Sequence, residues 1–444
     1  MNFNIPATSK LRDKTFTFGV ATASFQIEGS SAADGRCESI WDRFCATPGK
    51  VLHGDNGEPA CDHYRRLEQD LDLIESLGVD AYRFSIAWPR IEPSPGVWNE
   101  AGFAFYERLV DGLIARGIKP FATLYHWDLP QYLEDQGGWI NRETAYKFAV
   151  YADKVSARLG NRVASYATFN EPWCSAFLGY RFGIHAPGLK SDRLGFQAAH
   201  HLLLAHGLAL PAMRANAPKA QHGIVLNMTP SYANSDSPED QWAAEFADAE
   251  NTHTYLQPLL QGSYPTLVFA QHPDWAPTQL ADDLAIMAAP IDFLGINYYT
   301  RGVIKKGDSG NYQTVPQADA KTDIGWSIYP AGLTDLLVDL NGRYSNLPPV
   351  FITENGAADN TELVAGAVHD TMRTNYYNQH LNAVHQAIEA GVDIQGYFAW
   401  SLMDNFEWAE GYSQRFGIVH VDYQTQVRTI KTSGKSWQQF LADR

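Results

Sequence analysis

One unit recurs along this chain: a helix-like stretch, a glycine, then a short apolar run rich in β-formers. It occurs as Ser76-Leu-Gly78-Val-Asp-Ala-Tyr-Arg83-Phe and as Ala115-Arg-Gly117-Ile-Lys-Pro-Phe-Ala-Thr-Leu124. It returns as Arg158-Leu-Gly160-Asn-Arg-Val-Ala-Ser-Tyr-Ala-Thr168-Phe and as Glu389-Ala-Gly391-Val-Asp-Ile-Gln-Gly-Tyr-Phe-Ala399-Trp. A glycine just past a helix can adopt the left-handed conformation that closes the last turn. The first three of these glycines lie 39 and 43 residues apart, the length of one strand-plus-helix unit with its loops. The segments before them carry helical spacing: Leu67, Leu71, Ile74 and Leu77 mark one apolar face, and Phe103, Tyr106, Val110, Leu113 and Ile114 another.

Eight strand-like runs follow along the chain, at 16–21, 79–84, 118–124, 163–168, 223–228, 291–296, 350–353 and 394–399. Those at 163–168 and 223–228 are not apolar throughout. Eight strands alternating with helices favour a closed parallel (β/α)8 barrel, an α/β fold, over an open doubly wound sheet. The expected organisation is one catalytic barrel domain over 1–444, since no low-complexity block or Gly/Ser linker divides the chain.

Composition narrows the function. Apolar residues make up 45% and charged residues 19%, enough for a large core, and the formal net charge of −16 disfavours nucleic acid and anionic lipid surfaces as partners. Aromatic residues reach 13%, material for flat walls against ligands with apolar faces, sugar rings included. The opening segment lacks the apolar core of a secretory signal, and no apolar stretch approaches the ~18 residues of a membrane span. The four cysteines (Cys37, Cys45, Cys61, Cys174) show no CxxC spacing, so a cytoplasmic location is expected.

Active sites of such barrels form at the C-terminal ends of the strands. The residues there are Gln26 with Glu28 after the first strand, Arg83 inside the second, Tyr125-His126-Trp127-Asp128 after the third and Asn170-Glu171-Pro172-Trp173 after the fourth. Asn297-Tyr298-Tyr299 follow the sixth, Glu354-Asn355 the seventh, and Trp400, Asp404, Glu407 and Trp408 the eighth. Glu171 and Glu354 each read as the residue directly after an apolar strand, flanked by an Asn. Two carboxylates at one barrel mouth, beside aromatic platforms and amides, suit glycoside hydrolysis: one protonates the departing oxygen, the other attacks the anomeric carbon or activates water.

The motifs are similar to those of the family 1 glycoside hydrolases, the β-glucosidase family. Thr168-Phe-Asn-Glu-Pro-Trp173 and Ile352-Thr-Glu-Asn-Gly356 resemble its acid/base and nucleophile signatures. Phe18-Gly-Val-Ala-Thr-Ala-Ser-Phe-Gln-Ile-Glu-Gly29 resembles its N-terminal signature, and Tyr125-His-Trp-Asp-Leu-Pro130 and Trp400-Ser-Leu-Met-Asp-Asn-Phe-Glu-Trp408 match further segments. The resemblance runs from about residue 14 to 437 with the motifs in family order. It implies a single barrel, no metal and no organic cofactor, and a β-glucoside as small-molecule partner. It implies Glu171 as acid/base and Glu354 as nucleophile, with Arg83, Asn297 and Tyr299 supporting them.

Gln26, His126, Trp127, Asn170, Glu407 and Trp408 then match sugar-binding positions, Trp400 the platform under the ring, and Trp326 the leaving-group side. In this reading Gln26 and an ionised Glu407 share the 4-hydroxyl, His126 takes the 3-hydroxyl and Asn170 the 2-hydroxyl. The acidic pair Glu407 and Glu410 argues against a 6-phosphoglycoside, whose dianion it would repel. Three readings remain for the preferred reaction: a β-glucosidase on terminal residues of β-glucosides and short cello-oligosaccharides, a broader β-galactosidase/β-fucosidase, or a transglycosylase. Both glutamates are present, against a sugar-binding protein that has lost catalysis. His200, His201 and His206 in an apolar helix-like run read as packing residues, and Cys174 as a lining or buried thiol. Trp88, Trp98 and Trp139 read as core or loop packing.

Overall fold

The computed structural model describes residues 3–308 and 311–444. Left-handed glycines close the helices where the spacing predicts. Helices Leu67–Ser76 and Glu100–Ala115 run out just before Gly78 and Gly117, both at φ +72°, and a strand starts within three residues of each. At these positions a side chain would strain the backbone. Eight parallel strands result: β1 Thr17–Ala21, β2 Ala81–Ser85, β3 Lys119–Tyr125, β4 Ser165–Asn170, β5 Gln221–Asn227, β6 Phe293–Asn297, β7 Val350–Asn355 and β8 Ile394–Trp400. They close in sequential order, β1 pairing with both β2 and β8, so the sheet has no edge and the chain is a (β/α)8 barrel.

All eight expected strands form, with shifted ends. β2, β4 and β6 begin two residues later than expected, and β2, β3, β4, β6, β7 and β8 run one or two residues further. Glu354 therefore lies inside β7 rather than after it, where the ladder fixes it opposite Asn297. Glu171 does follow its strand directly. Register also sets Ala21 opposite both Arg83 and Trp400, and Asn227 opposite Asn297, which together with Glu354 brings the ends of six strands to one rim. Ser165, Thr168, Asn170 and His222, which weaken the apolar pattern of β4 and β5, are buried.

Two small sheets lie outside the barrel. Ser231–Ala233, Gly302–Lys306 and Tyr312–Thr314 form one, beside the mouth; Val419–Val421 and Arg428–Ile430 form the other. Trp88 and Trp139 are fully buried, and Trp98 packs on the core from a half-buried position. His200 sits between Asp283 and Tyr264, His201 bonds the Trp139 carbonyl, and His206 contacts Thr168 Oγ1, so each ring meets protein groups. Among the described residues, no helix is long and apolar enough to cross a membrane.

Candidate active site

At the C-terminal rim the strand ends converge on a cavity of about 820 Å³, lined among others by His126, Trp127, Glu171, Asn297, Tyr299, Trp326, Glu354, Trp400, Glu407 and Trp408. Gln26, Arg83 and Asn170 stand just behind this lining, fully buried and bonded to it. All thirteen site residues expected from the sequence thus meet at one place.

The two glutamates have different neighbours. Glu354 accepts from the Arg83 guanidinium on one oxygen (Nη1, 2.7 Å) and from the Tyr299 hydroxyl on the other (2.6 Å). Glu171 accepts from Asn297 Nδ2 on Oε1 (2.6 Å) and from the Cys174 thiol on Oε2 (2.9 Å). The amide of Asn297 is oriented by Thr353, whose hydroxyl donates to its Oδ1 at 2.7 Å. Asn170 Oδ1 ties the halves together, accepting from Arg83 Nη2 (2.6 Å) and Asn297 Nδ2 (3.0 Å). Glu171 holds this position at φ +47°, and Trp127 and Trp408 also have positive φ (+78° and +50°). Such backbone is costly for non-glycine residues and is held here by the surrounding packing and hydrogen bonds.

These surroundings separate the protonation behaviour of the two acids. Burial raises both. Glu171 is pushed up to about 7, by burial first and then by the charge of Glu354. For Glu354 the upward push of burial is opposed by Arg83, Tyr299 and Asn297. The shared proton therefore resides on Glu171, and Glu354 is the ionised member. His126, buried beside Arg83, is held well below the usual imidazole range and is neutral.

Glu407 departs from the sequence reading, which takes it as ionised. Burial, then the charges of Glu354 and Glu171, push it up to about 8, so near pH 7 it is mainly a neutral acid. Gln26 points its Nε2 at Phe406 O (2.7 Å), Asn405 Oδ1 (3.0 Å) and Glu407 Oε2 (3.5 Å). Its Oε1 is buried without a protein partner. Aromatic rings wall this end: His126 stacks between Trp400 (5.8 Å, 19°) and Trp408 (5.9 Å, 14°), and Trp127 lies 4.4 Å from Trp408. Trp326 packs on Tyr299 (5.3 Å) and Phe416 (5.9 Å) at the cavity's other side.

The sequence reading gives no role to several lining residues: Trp173, Leu178, Phe182, Ile184, Asn251 and Tyr312. Trp173 stands there among the residues after the fourth strand; the others come from later segments with no strand-end signal. Cys174, expected as a lining or buried thiol, is buried at the cavity lining and bonds directly to Glu171.

The chain is similar to known proteins over nearly its whole length. The model of glycosyl hydrolase family 1 covers residues 8–444, and the chain belongs to that family. It is 51% identical over 434 residues to a β-glucosidase of Agrobacterium sp., covering 96% of this chain and 94% of that one. A bifunctional β-D-glucosidase/β-D-fucosidase of Bifidobacterium breve is 45% identical, covering 97% and 98% of the two chains. Among solved structures, the complex of the virulence factor SghA from Agrobacterium tumefaciens with its substrate analog salicin superposes with a TM-score of 0.94 at 49% identity, over 97% of this chain and 96% of that chain.

Proposed function

We propose that the chain is a retaining β-glucosidase that removes the terminal non-reducing β-D-glucosyl residue from β-glucosides and short cello-oligosaccharides. The observation that carries this reading is the unequal pair: Glu354 clamped by a cation and a phenol, Glu171 pushed up to about 7. Glu354 attacks the anomeric carbon while Glu171 gives its proton to the departing oxygen. Once Glu354 is esterified, its charge no longer raises Glu171, which becomes the base that deprotonates the incoming water. The water then attacks the same carbon, releasing glucose with its original configuration and restoring both acids.

Arg83 and Tyr299 keep Glu354 charged and aimed, and Asn297 orients Glu171. Trp400 underlies the sugar ring, and His126, Trp127 and Trp408 enclose its far end. Asn170 takes the 2-hydroxyl, His126 the 3-hydroxyl, and Gln26 with Glu407 the 4-hydroxyl, the free Oε1 of Gln26 being the acceptor. Trp326 stands on the leaving-group side. The whole chain, 1–444, works as one catalytic unit with no metal or organic cofactor. Four unpaired thiols support a reducing, cytoplasmic setting.

A second reading, a broader β-glycosidase that also takes β-fucosides and β-galactosides, is favoured by the double activity named for the Bifidobacterium breve relative. A panel of p-nitrophenyl β-glycosides, followed by NMR from the first turnovers, tests both. β-Glucose as first product is expected; α-glucose would overturn the retaining mechanism and the carboxyl separation of roughly 5–5.5 Å that it requires. New oligosaccharides dominating over free sugar would mark a transglycosylase.

A further inference from the structure

Beyond the two glutamates the cavity wall is held from behind by a chain of polar contacts between two distant segments. The stretch after Glu171 winds as a wide π-helical turn, Cys174–Arg181, and a second such turn, Ala249–His253, faces it. π-Helical turns shift side chains out of α-helical register and recur at functional sites. Trp173, on the cavity wall, donates its indole N–H to Asn251 Oδ1 at 2.9 Å. Asn251 Nδ2 in turn donates to Ala247 O and to Tyr312 Oη, both at 2.8 Å, and Tyr312 donates to Glu250 Oε2 at 2.7 Å.

Behind this chain lies a buried ion pair. Glu250 Oε1 accepts from Arg181 Nη2 at 3.0 Å, with both side chains almost fully buried. The guanidinium is packed against the rings of Phe177, Trp275, Phe182 and Phe196 at 4.7–5.3 Å. A buried, hydrogen-bonded and ring-packed guanidinium has little freedom to move. The chain of bonds therefore anchors Asn251 to a rigid base, and Asn251 holds the indole of Trp173. Beside Trp173, Phe182 and Ile184 also line the cavity with 40% and 54% of their surface exposed, so this wall meets whatever leaves the sugar.

We propose that Asn251 is a positioning residue for the leaving group: backed by the Arg181–Glu250 pair, it fixes the plane of Trp173 and so sets which aglycones are accepted. The proposal rests on the β-glucosidase reading. Substrates with an extended aglycone use the wall; a methyl glucoside, with the same sugar, does not reach it.

The test compares kcat/KM for methyl, p-nitrophenyl and glucosyl (cellobiose) leaving groups, with inhibition by 1-deoxynojirimycin reporting the sugar half alone. Asn251→Leu, which lacks the acceptor, should lower the value for the two extended substrates roughly tenfold, the worth of one net hydrogen bond. Methyl glucoside hydrolysis and the inhibition constant should stay within about twofold, and Asn251→Asp, which keeps an acceptor for Trp173 but lacks the Nδ2 donor that anchors it to Ala247 and Tyr312, should show a smaller loss confined to the same two substrates. Trp173→Phe keeps a ring but has no N–H, so adding Asn251→Leu to it should cost nothing more. Equal losses on all three substrates, or losses that simply add in the double variant, would overturn the proposal. A wild-type enzyme inactive on every β-glucoside would overturn the activity reading and this proposal with it.

Discussion

The Cys174 thiol donates to Glu171 Oε2 across 2.9 Å, one helical turn beyond the acid in sequence. A hydrogen bond to a carboxylate favours its charged form, so Cys174 pulls Glu171 down against the push of burial and of Glu354. With Glu171 as the proposed acid, the alkaline limb of the pH profile of kcat/KM should mark loss of its proton. Cys174→Ala should raise the Glu171 pKa and move that limb to higher pH by roughly 0.5–1 unit, the equivalent of a net hydrogen bond. A limb that stays in place would show that the thiol does not act on Glu171.

Tyr299→Phe should act on the other limb. Tyr299 and Arg83 hold Glu354 ionised, so losing the 2.6 Å phenolic bond raises the Glu354 pKa. The acid limb of kcat/KM should move to higher pH, and kcat/KM at its optimum should fall about ten- to hundredfold, the worth of a hydrogen bond to a charged group.

The two glutamates should separate by rescue. Glu354→Gly should abolish hydrolysis and recover with azide, giving an α-glycosyl azide from the vacated face. Glu171→Ala should lose about 10²–10⁴-fold on poor leaving groups but spare the first step for 2,4-dinitrophenyl glucoside, which needs little protonation. With azide it should give the β-glycosyl azide. Identical configurations from the two variants, read by NMR, would reverse or cancel the assigned roles.

Glu407 should show in its substitutions whether it works as a neutral acid. Glu407→Ser should cost about 2 kcal/mol or more in kcat/KM for p-nitrophenyl glucoside, and much less for the 4-deoxyglucoside. Since the residue is pushed up to about 8, Glu407→Gln, a neutral group that also donates and accepts, should retain more activity than Glu407→Ser at pH 6–7. Equal losses from the two would mean that the carboxylate form is the one that binds.

The fold was legible because glycine punctuation and apolar runs report backbone needs directly: Gly78 and Gly117 close helices, and the runs after them are barrel strands. Strand ends were less legible, since the polar residues of the site continue the ladder; Glu354 reads as a loop residue yet pairs within β7. Glu171, Glu354 and their partners could be read because each stands in a local motif at a strand end. The protonation of Glu407 could not, as it depends on burial and on the charges of Glu354, in β7, and Glu171, just after β4, which only the closed barrel brings to it. Asn251 and Arg181 were invisible for a similar reason. Their partners lie far off in sequence, and only the packing of two π-helical turns brings them together.

Glu171, Glu354 and Glu407 line one cavity in which the Arg83 guanidinium bonds Glu354 alone, and this makes the cavity a proton reservoir. Below about pH 7 its charge is roughly balanced, the Glu354 carboxylate against the Arg83 cation, with exchangeable protons stored on the other two acids. A neutral sugar enters without disturbing this balance. A basic sugar mimic enters as a cation and favours ionisation of a stored acid, so its binding releases a proton to solvent. The heat of such binding will then vary with the ionisation enthalpy of the buffer, while that of a neutral lactone-type mimic will not.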